Sequence, residues 1–220
     1  FCDGQTAVPL PPARDHKRVY DGDLGPNTGG MGVYAPPPDV DAALVEEIMR
    51  TVIQPAVQGM AQRGTPYVGV LYAGLMLTPA GPKVLEFNCR FGDPETQAVL
   101  PLLDGDLAEI MLACAAQRLT PELVRVHPGA CATVVMAAPG YPGNYPKGLP
   151  ITGLEAVPPD VLVFHAGTHH TNGQIVSSGG RVLCVSACGV DVATAVTRAY
   201  SGVAAIHFDG AHYRTDIGQK

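Results

Sequence analysis

One stretch, Lys83-Val84-Leu85-Glu86-Phe87-Asn88-Cys89-Arg90-Phe91-Gly92-Asp93-Pro94-Glu95, constrains this chain more than any other. It follows the turn sequence Thr78-Pro79-Ala80-Gly81-Pro82, which itself follows the apolar run Val68 to Leu77. Two apolar runs parted by Pro and Gly predict an antiparallel β-hairpin. Side chains alternate along a strand, so Glu86, Asn88 and Arg90 are expected to share a polar face while Leu85 and Phe87 turn into a core. A carboxylate and an amide oxygen are hard ligands suited to Mg²⁺, which completes its shell with water and substrate phosphate. Arg90 adds a planar donor fork for a phosphate or carboxylate. The bland alternative is a solvated strand face closed by a turn. Arg90, Asp93 and Glu95 crowding the strand exit weaken that alternative, as does Pro94, which can open a helix through Thr96, Ala98, Val99 and Leu100. Both readings stand on these residues alone.

The 220 residues suffice for one large or two small domains. A net charge of -6 without a basic block disfavours a general nucleic-acid surface and leaves room for a small anionic ligand. The six cysteines are scattered, and Cys184-Val-Ser-Ala-Cys188 lies in an expected strand rather than a compact metal motif, so free thiols in a reducing compartment are expected. There is no membrane-spanning apolar run and no Asn-x-Ser/Thr acceptor, which points to a cytosolic protein with no membrane partner. The chain opens at Phe1, already inside a strand-and-turn pattern, and reads as a fragment.

Residues 5 to 38 are rich in Pro and Gly. Gln5 to Leu10 reads as a short strand, and Asp15-His16-Lys17-Arg18 sets three cationic or hydrogen-bonding groups beside one acid. Gly25-Pro26-Asn27-Thr28-Gly29-Gly30-Met31-Gly32 is either an ordinary connection or a loop whose amides face an anion. It matches neither the Walker nor the dinucleotide pattern. Asp39 or Asp41 can cap a helix whose apolar stripe runs from Leu44 to Ile53, and Pro55 should bend it. Val68 to Leu77 is apolar enough for a strand covered on both faces. A second helix is expected around Leu107 to Leu119, capped by Asp104 or Asp106. Beyond it the pattern turns β-rich, with strands at 132–137, 161–165, 175–176 and 181–186 and a helix from Asp191 through Tyr200. The expected class is α+β, with residues 1–124 carrying the chemistry and 125–220 forming a small β-rich α+β domain. His165, His169 and His170 lack metalloprotease order and read as structural or exposed. Gly179-Gly180-Arg181 is a turn with a basic group that can border a ligand. Cys89 reads as a buried packing residue of the hairpin.

Taken together, Glu86-Phe-Asn-Cys-Arg-Phe-Gly-Asp-Pro-Glu95, Asp15-His-Lys-Arg18 and Gly25-Pro-Asn-Thr-Gly-Gly-Met-Gly32 closely resemble the phosphoribosylamine–glycine ligase family. Gly140-Tyr-Pro-Gly143, His165-Ala-Gly-Thr168, Gly179-Gly-Arg-Val182 and Tyr213-Arg-Thr-Asp-Ile-Gly218 extend the resemblance along the chain. It implies the C-terminal half of an ATP-grasp fold followed by the family's C-terminal domain. It also implies ATP-dependent joining of glycine to 5-phosphoribosylamine through glycyl phosphate, giving glycinamide ribonucleotide, ADP and phosphate.

By the same resemblance, Glu86 and Asn88 match the ligands of Mg²⁺ or Mn²⁺, and Arg90 and Asp93 match active-site positions. Arg90 would neutralise phosphate charge, and Asp93 would orient that arginine or an amine. Asn27, Thr28, Gly29 and Gly30 would border the substrates, with Lys17 or Arg18 on a phosphate. Val68 to Leu77 lacks the acid that many ATP-grasp enzymes carry on the paired strand. An N-terminal region that encloses adenine is expected ahead of Phe1, downstream purine-synthesis domains can be fused, and the chain alone is expected to be inactive. The rival readings are a noncatalytic interaction or regulatory module and an ATP-grasp ligase for another acid and amine.

Overall fold

A computed structural model describes residues 1–219. In chain order the strands are β1 (Cys2–Asp3), β2 (Arg14–Asp15), β3 (Arg18–Tyr20), β4 (Leu24–Asn27), β5 (Gly32–Ala35), β6 (Val68–Gly69), β7 (Tyr72–Thr78), β8 (Gly81–Asn88), β9 (Ala130–Ala137), β10 (Val161–His165), β11 (Thr168–Thr171), β12 (Gln174–Ser177) and β13 (Arg181–Gly189). The α-helices are α1 (Ala42–Ile48), α2 (Gln54–Gln62), α3 (Thr96–Val99), α4 (Leu107–Ala115) and α5 (Val192–Ala205). They form two compact units: Phe1–Pro12, Pro38–Gly92 and Leu103–His127 make the first, and Ala13–Pro37, Asp93–Leu102 and Pro128–Lys220 the second. The second unit thus takes two early segments besides everything beyond Pro128.

In the first unit, Asp41 accepts from the Leu44 amide at 2.8 Å and starts α1. A π-helical turn, Met49–Ile53, joins α1 to α2 just ahead of Pro55. Proline cannot donate a backbone hydrogen bond, and the wider turn accommodates the break without ending the helix. Ile53 and Val57 pack with Cys2, while Phe1, Val8, Ile110, Cys114 and Leu119 form a second small core. Asp106 caps α4 through the amides of Ala108 and Glu109; the helix stops at Ala115, short of Leu119, because Gln117 takes a φ of 54°. Gln5 to Leu10 forms no strand; Ala7 alone makes a bridge, to Cys2. The apolar run at 68–77 is divided, β6 pairing with β1 and β7 with β8.

That hairpin differs from the expectation. Leu85 is 65% exposed, Phe87 42%, Val84 43% and Met76 52%, so β8 is left open on its apolar side, while β7 packs only Ala73 against the cluster of Cys2, Ile53 and Val57. Alternation assigns side chains to a face; it does not supply what covers that face. Cys89 is likewise exposed rather than buried.

The second unit is built on a five-stranded antiparallel sheet ordered β10-β13-β9-β5-β2. All eight residues of β9 are buried. On one side Val134, Met136 and Val185 pack with Ala199 and Val203 of α5; on the other, Gln97 of α3 reaches the Cys184 sulfur at 3.8 Å. Asp191 caps α5 through the Thr194 amide. Arg214, fully buried, pairs bidentately with Asp216 at 2.7 Å, bonds Asp23 at 2.8 Å and donates to the Arg18 carbonyl at 3.2 Å. Its guanidinium therefore joins the β3–β4 hairpin to the far end of the same unit. Among the described residues, no helix is long and apolar enough to cross a membrane.

Candidate active site

The expected site residues fall in both units. In the first, β7 and β8 place Tyr72 opposite Asn88 and Gly74 opposite Glu86, with a bulge just beyond, between Gly74 and Leu75. The Asn88 amide donates to Glu86 Oε1 at 3.1 Å, so the two side chains lie on one face as their spacing predicts. A Cβ at Gly74 would sit 3.2 Å from Glu86 Cγ, so glycine there leaves the carboxylate room. Glu86 is exposed and Asn88 half-buried. Arg90 lies past the strand end, where its guanidinium donates to the Phe91 carbonyl at 2.8 Å.

A carboxylate beside an amide, both reachable from solvent, fits a hard divalent cation that keeps most of its water and phosphate ligands. Rotating the amide half a turn would offer its oxygen beside Glu86. No cluster of three His, Cys, Asp or Glu side chains suited to a metal occurs among the described residues. Glu86 and Asn88 are a pair of oxygen-donor side chains of the kind a hard cation takes, unlike the N and S donors of a closed zinc site. The three histidines fit this: each is exposed, and His165 Nδ1 sits 3.0 Å from Thr168 Oγ1.

In the second unit, Lys17 forms an ion pair with Asp15 and lies 3.7 Å from Glu95. Burial pushes the Asp15 carboxyl up to about 6 against the pull of the Lys17 ammonium, and the Glu95 charge adds to the rise. Burial alone would lower the Lys17 pKa, but the carboxylates outweigh it and the net shift is upward. Lys17 therefore stays cationic while its side chain remains half exposed. His16 belongs elsewhere: it is buried, its Nδ1 lies 3.3 Å from the Gly32 carbonyl, and burial with the nearby Arg214 charge lowers its pKa. It is a neutral packing group and not a third cation.

The glycine-rich loop spends its amides internally. Thr28 N donates to the Lys17 carbonyl at 2.7 Å, Gly29 N to the Tyr141 hydroxyl at 3.0 Å, Gly30 N to Thr28 Oγ1 at 2.9 Å and Met31 N to the His16 carbonyl at 2.9 Å. An array of amides facing an anion is therefore not what the loop presents. It is a tightly packed cover: Gly30 has a φ of +122°, and a Cβ there would meet Pro94 Cδ at 2.5 Å and Asp15 Oδ1 at 2.8 Å. Asn27, at the exposed end of β4, pairs in register with Arg18, whose guanidinium donates to the Gly25 carbonyl.

Asp93 does have an arginine partner, and it is Arg181. The Arg181 guanidinium meets Asp93 Oδ2 at 3.1 Å and donates to the carbonyls of Asp93 at 2.8 Å and Gly29 at 3.0 Å. Gln97 completes the set, donating to Asp93 Oδ1 at 3.1 Å. One side chain thus fastens the glycine loop to the start of the Asp93-Pro94-Glu95 segment.

Comparison with known proteins gives this arrangement its family. Residues 1–96 match the model for the phosphoribosylglycinamide synthetase ATP-grasp (A) domain, and residues 131–220 match that family's C domain. The chain belongs to the phosphoribosylglycinamide synthetase family. It is 53% identical, over its whole length, to 53% of the phosphoribosylamine–glycine ligase of Synechocystis sp.. It is also 55% identical, again over its whole length, to 22% of the Gallus gallus trifunctional purine biosynthetic protein adenosine-3. The crystal structure of a Thermotoga maritima phosphoribosylamine–glycine ligase superposes with a TM-score of 0.84 at 38% identity, over 97% of this chain and 52% of that one. A biotin carboxylase subunit of pyruvate carboxylase, at a TM-score of 0.66 and 13% identity, shares the fold alone. The chain spans about half the length of the stand-alone ligases it matches. Within a phosphoribosylglycinamide synthetase, Arg181 and Tyr141 belong to sequence motifs that do not reveal their partner in the loop. Each sits in a turn sequence, and only the folded sheet brings it to Gly29.

Proposed function

We propose that the protein to which this chain belongs joins glycine to 5-phosphoribosylamine at the expense of ATP, yielding glycinamide ribonucleotide, ADP and phosphate in cytosolic purine synthesis. The observation that carries this reading is the Glu86–Asn88 pair on one face of β8, in a chain whose two parts match the family's ATP-grasp (A) domain and its C domain. Mg²⁺, or Mn²⁺ in its place, would be held by Glu86 and Asn88. When bound, the cation supplies charge neutralisation for phosphoryl transfer, which is chiefly a problem of orientation and electrostatics.

The chain's own residues have distinct tasks in this reading. Arg90 meets developing negative charge with a planar fork that a lysine cannot reproduce. Lys17, cationic and half exposed, holds an anionic group of the substrate, with Arg18 beside it on the same segment. Asp93 acts through Arg181 to fix the loop at Asn27, Thr28, Gly29 and Gly30 against which substrate packs. Relatives occur as stand-alone ligases and within bifunctional and trifunctional purine biosynthetic proteins, so the parent is either a single ligase or a fusion.

The test compares the 220-residue chain with a version extended N-terminally to the length of the stand-alone relatives, both supplied with fresh phosphoribosylamine, glycine, ATP and Mg²⁺. The extended enzyme is expected to make glycinamide ribonucleotide and the short chain little or none. In the extended enzyme, Glu86→Gln should lower turnover at limiting Mg²⁺ by about 100-fold with an unchanged melting temperature. A folded extended enzyme without product would favour the noncatalytic reading, and normal turnover by the variant would remove the metal assignment.

A further inference from the structure

The α3 side of the second unit's sheet carries a ladder of small polar and sulfur side chains. Antiparallel register places Cys184 opposite Val135, Ser186 opposite Thr133 and Cys188 opposite Cys131. The Thr133 and Ser186 hydroxyls lie 2.8 Å apart, so side chains on this face do meet across the two strands. One step further along, Cys131 and Cys188 stand in the same relation, both as free thiols. Directly opposed residues of antiparallel strands have Cα atoms roughly 4.5–5.5 Å apart, inside the roughly 4.4–6.8 Å range that a disulfide spans. The pair is unequal. Cys131 is fully buried in the central strand, whereas Cys188 lies at the sheet end, is partly exposed, and has its carbonyl bonded by Arg198 at 3.0 Å.

We propose that Cys131 and Cys188 are a peroxide-oxidisable pair that closes into a cross-strand disulfide within this unit. Cys188 is the entry point. The hydrogen bond from Cys131 draws its pKa down against the effect of burial, with the Arg198 charge helping, which favours the thiolate. Cys131 is held in the protonated form, raised by that same bond and by burial. The Cys188 sulfur attacks hydrogen peroxide: an S–O bond forms, the O–O bond breaks, and hydroxide leaves to become water, giving a sulfenic acid. Cys131 then attacks that sulfur as its proton departs; the S–S bond forms, the S–O bond breaks, and a second water leaves. Two thiols are oxidised by two electrons and one peroxide is reduced to two waters. Exposed Cys89 has no cysteine opposite it in the β7–β8 register, so it can be oxidised by peroxide but has no resolving thiol across the strand pair.

The test is peptide mapping of the 220-residue chain after hydrogen peroxide and alkylation of the remaining thiols, with fragmentation that distinguishes Cys188 from Cys184 in their shared tryptic peptide. The expected principal product is a dithiothreitol-reversible link between the Cys131 and Cys188 peptides, with loss of two hydrogens. Cys188→Ser should abolish it, and Cys131→Ser should leave a Cys188 sulfenic acid that dimedone traps. The wild-type map decides the matter even where a variant fails to fold. Both thiols alkylated after oxidation, a link to Cys184 instead, or sulfinic acid at Cys188 without a link would each overturn the proposal.

Discussion

The two units answer the same physical demands in opposite ways. In the second, every residue of β9 is buried, and the charged side chains drawn inward are matched: Arg214 by Asp216 and Asp23, Asp15 by Lys17. In the first, the β7–β8 hairpin holds only two strands, and Leu85, Phe87, Val84 and Met76 are left open beside the Glu86–Asn88 pair. A two-stranded hairpin is marginal by itself, and the element carrying the Glu86–Asn88 pair gains from its own unit's core only the packing of Ala73 against Cys2, Ile53 and Val57. The contrast teaches that a side-chain pair can be well placed locally on an element whose rigidity must come from whatever covers it.

The strongest way to break this comparison is at Arg214. Arg214→Ala strips the guanidinium from Asp216, Asp23 and the Arg18 carbonyl and should cost the second unit about 3–5 kcal/mol in urea unfolding. Hydrogen exchange at the β7–β8 amides should hardly change. A loss below about 1 kcal/mol would place this network with ordinary surface pairs and remove the distinction.

A smaller effect, with a definite sign in pH, belongs to Asp15. Its folded-state pKa of about 6 lies above the ordinary carboxylate value, so the folded chain binds this proton more tightly and loses stability as pH rises toward 6. Above that the cost of the buried charge is fully present. Asp15→Asn should therefore gain about 2 kcal/mol at pH 7, an advantage that fades toward pH 4. Melting curves across that range check it. A variant less stable than the parent at pH 7 would show the Lys17 pair to be worth more than the burial it offsets.

The finest test pairs two leucines. Leu183, fully buried in β13, should cost about 2–5 kcal/mol when replaced by alanine. Leu85→Ala in the same chain should stay within about 0.5 kcal/mol. Equal losses in denaturant would mean that Leu85 is covered in solution.

These outcomes also mark what the sequence makes legible. Glu86 and Asn88 are two residues apart on one strand, and a period of two suffices to put them on one face. The caps at Asp41, Asp106 and Asp191 are equally local. Arg181 is 88 positions from the Asp93 carbonyl it bonds, and no periodicity links the first residue of β13 to the segment after β8. The glycine loop was ambiguous for a different reason: glycine permits exposed amides and close packing alike, and only the partners Lys17, Tyr141, Thr28 and His16 decide between them. Leu85 and Phe87 show the limit of alternation, which sorts faces without saying which is dry.

The π-helical turn at Met49–Ile53 has its own bearing on how this molecule can be altered. Each residue advances an α-helix by about 100°, and a π turn accommodates one residue more than its α equivalent. The seven residues of α1 are therefore dialled round relative to Ile53 and Val57 by that single surplus residue. Winding the same residues as plain α-helix would swing Leu44 and Ile48 about 100° off their present heading, whereas excising one residue there would leave an ordinary α turn and keep it, so this helix can surrender a residue more readily than its π turn.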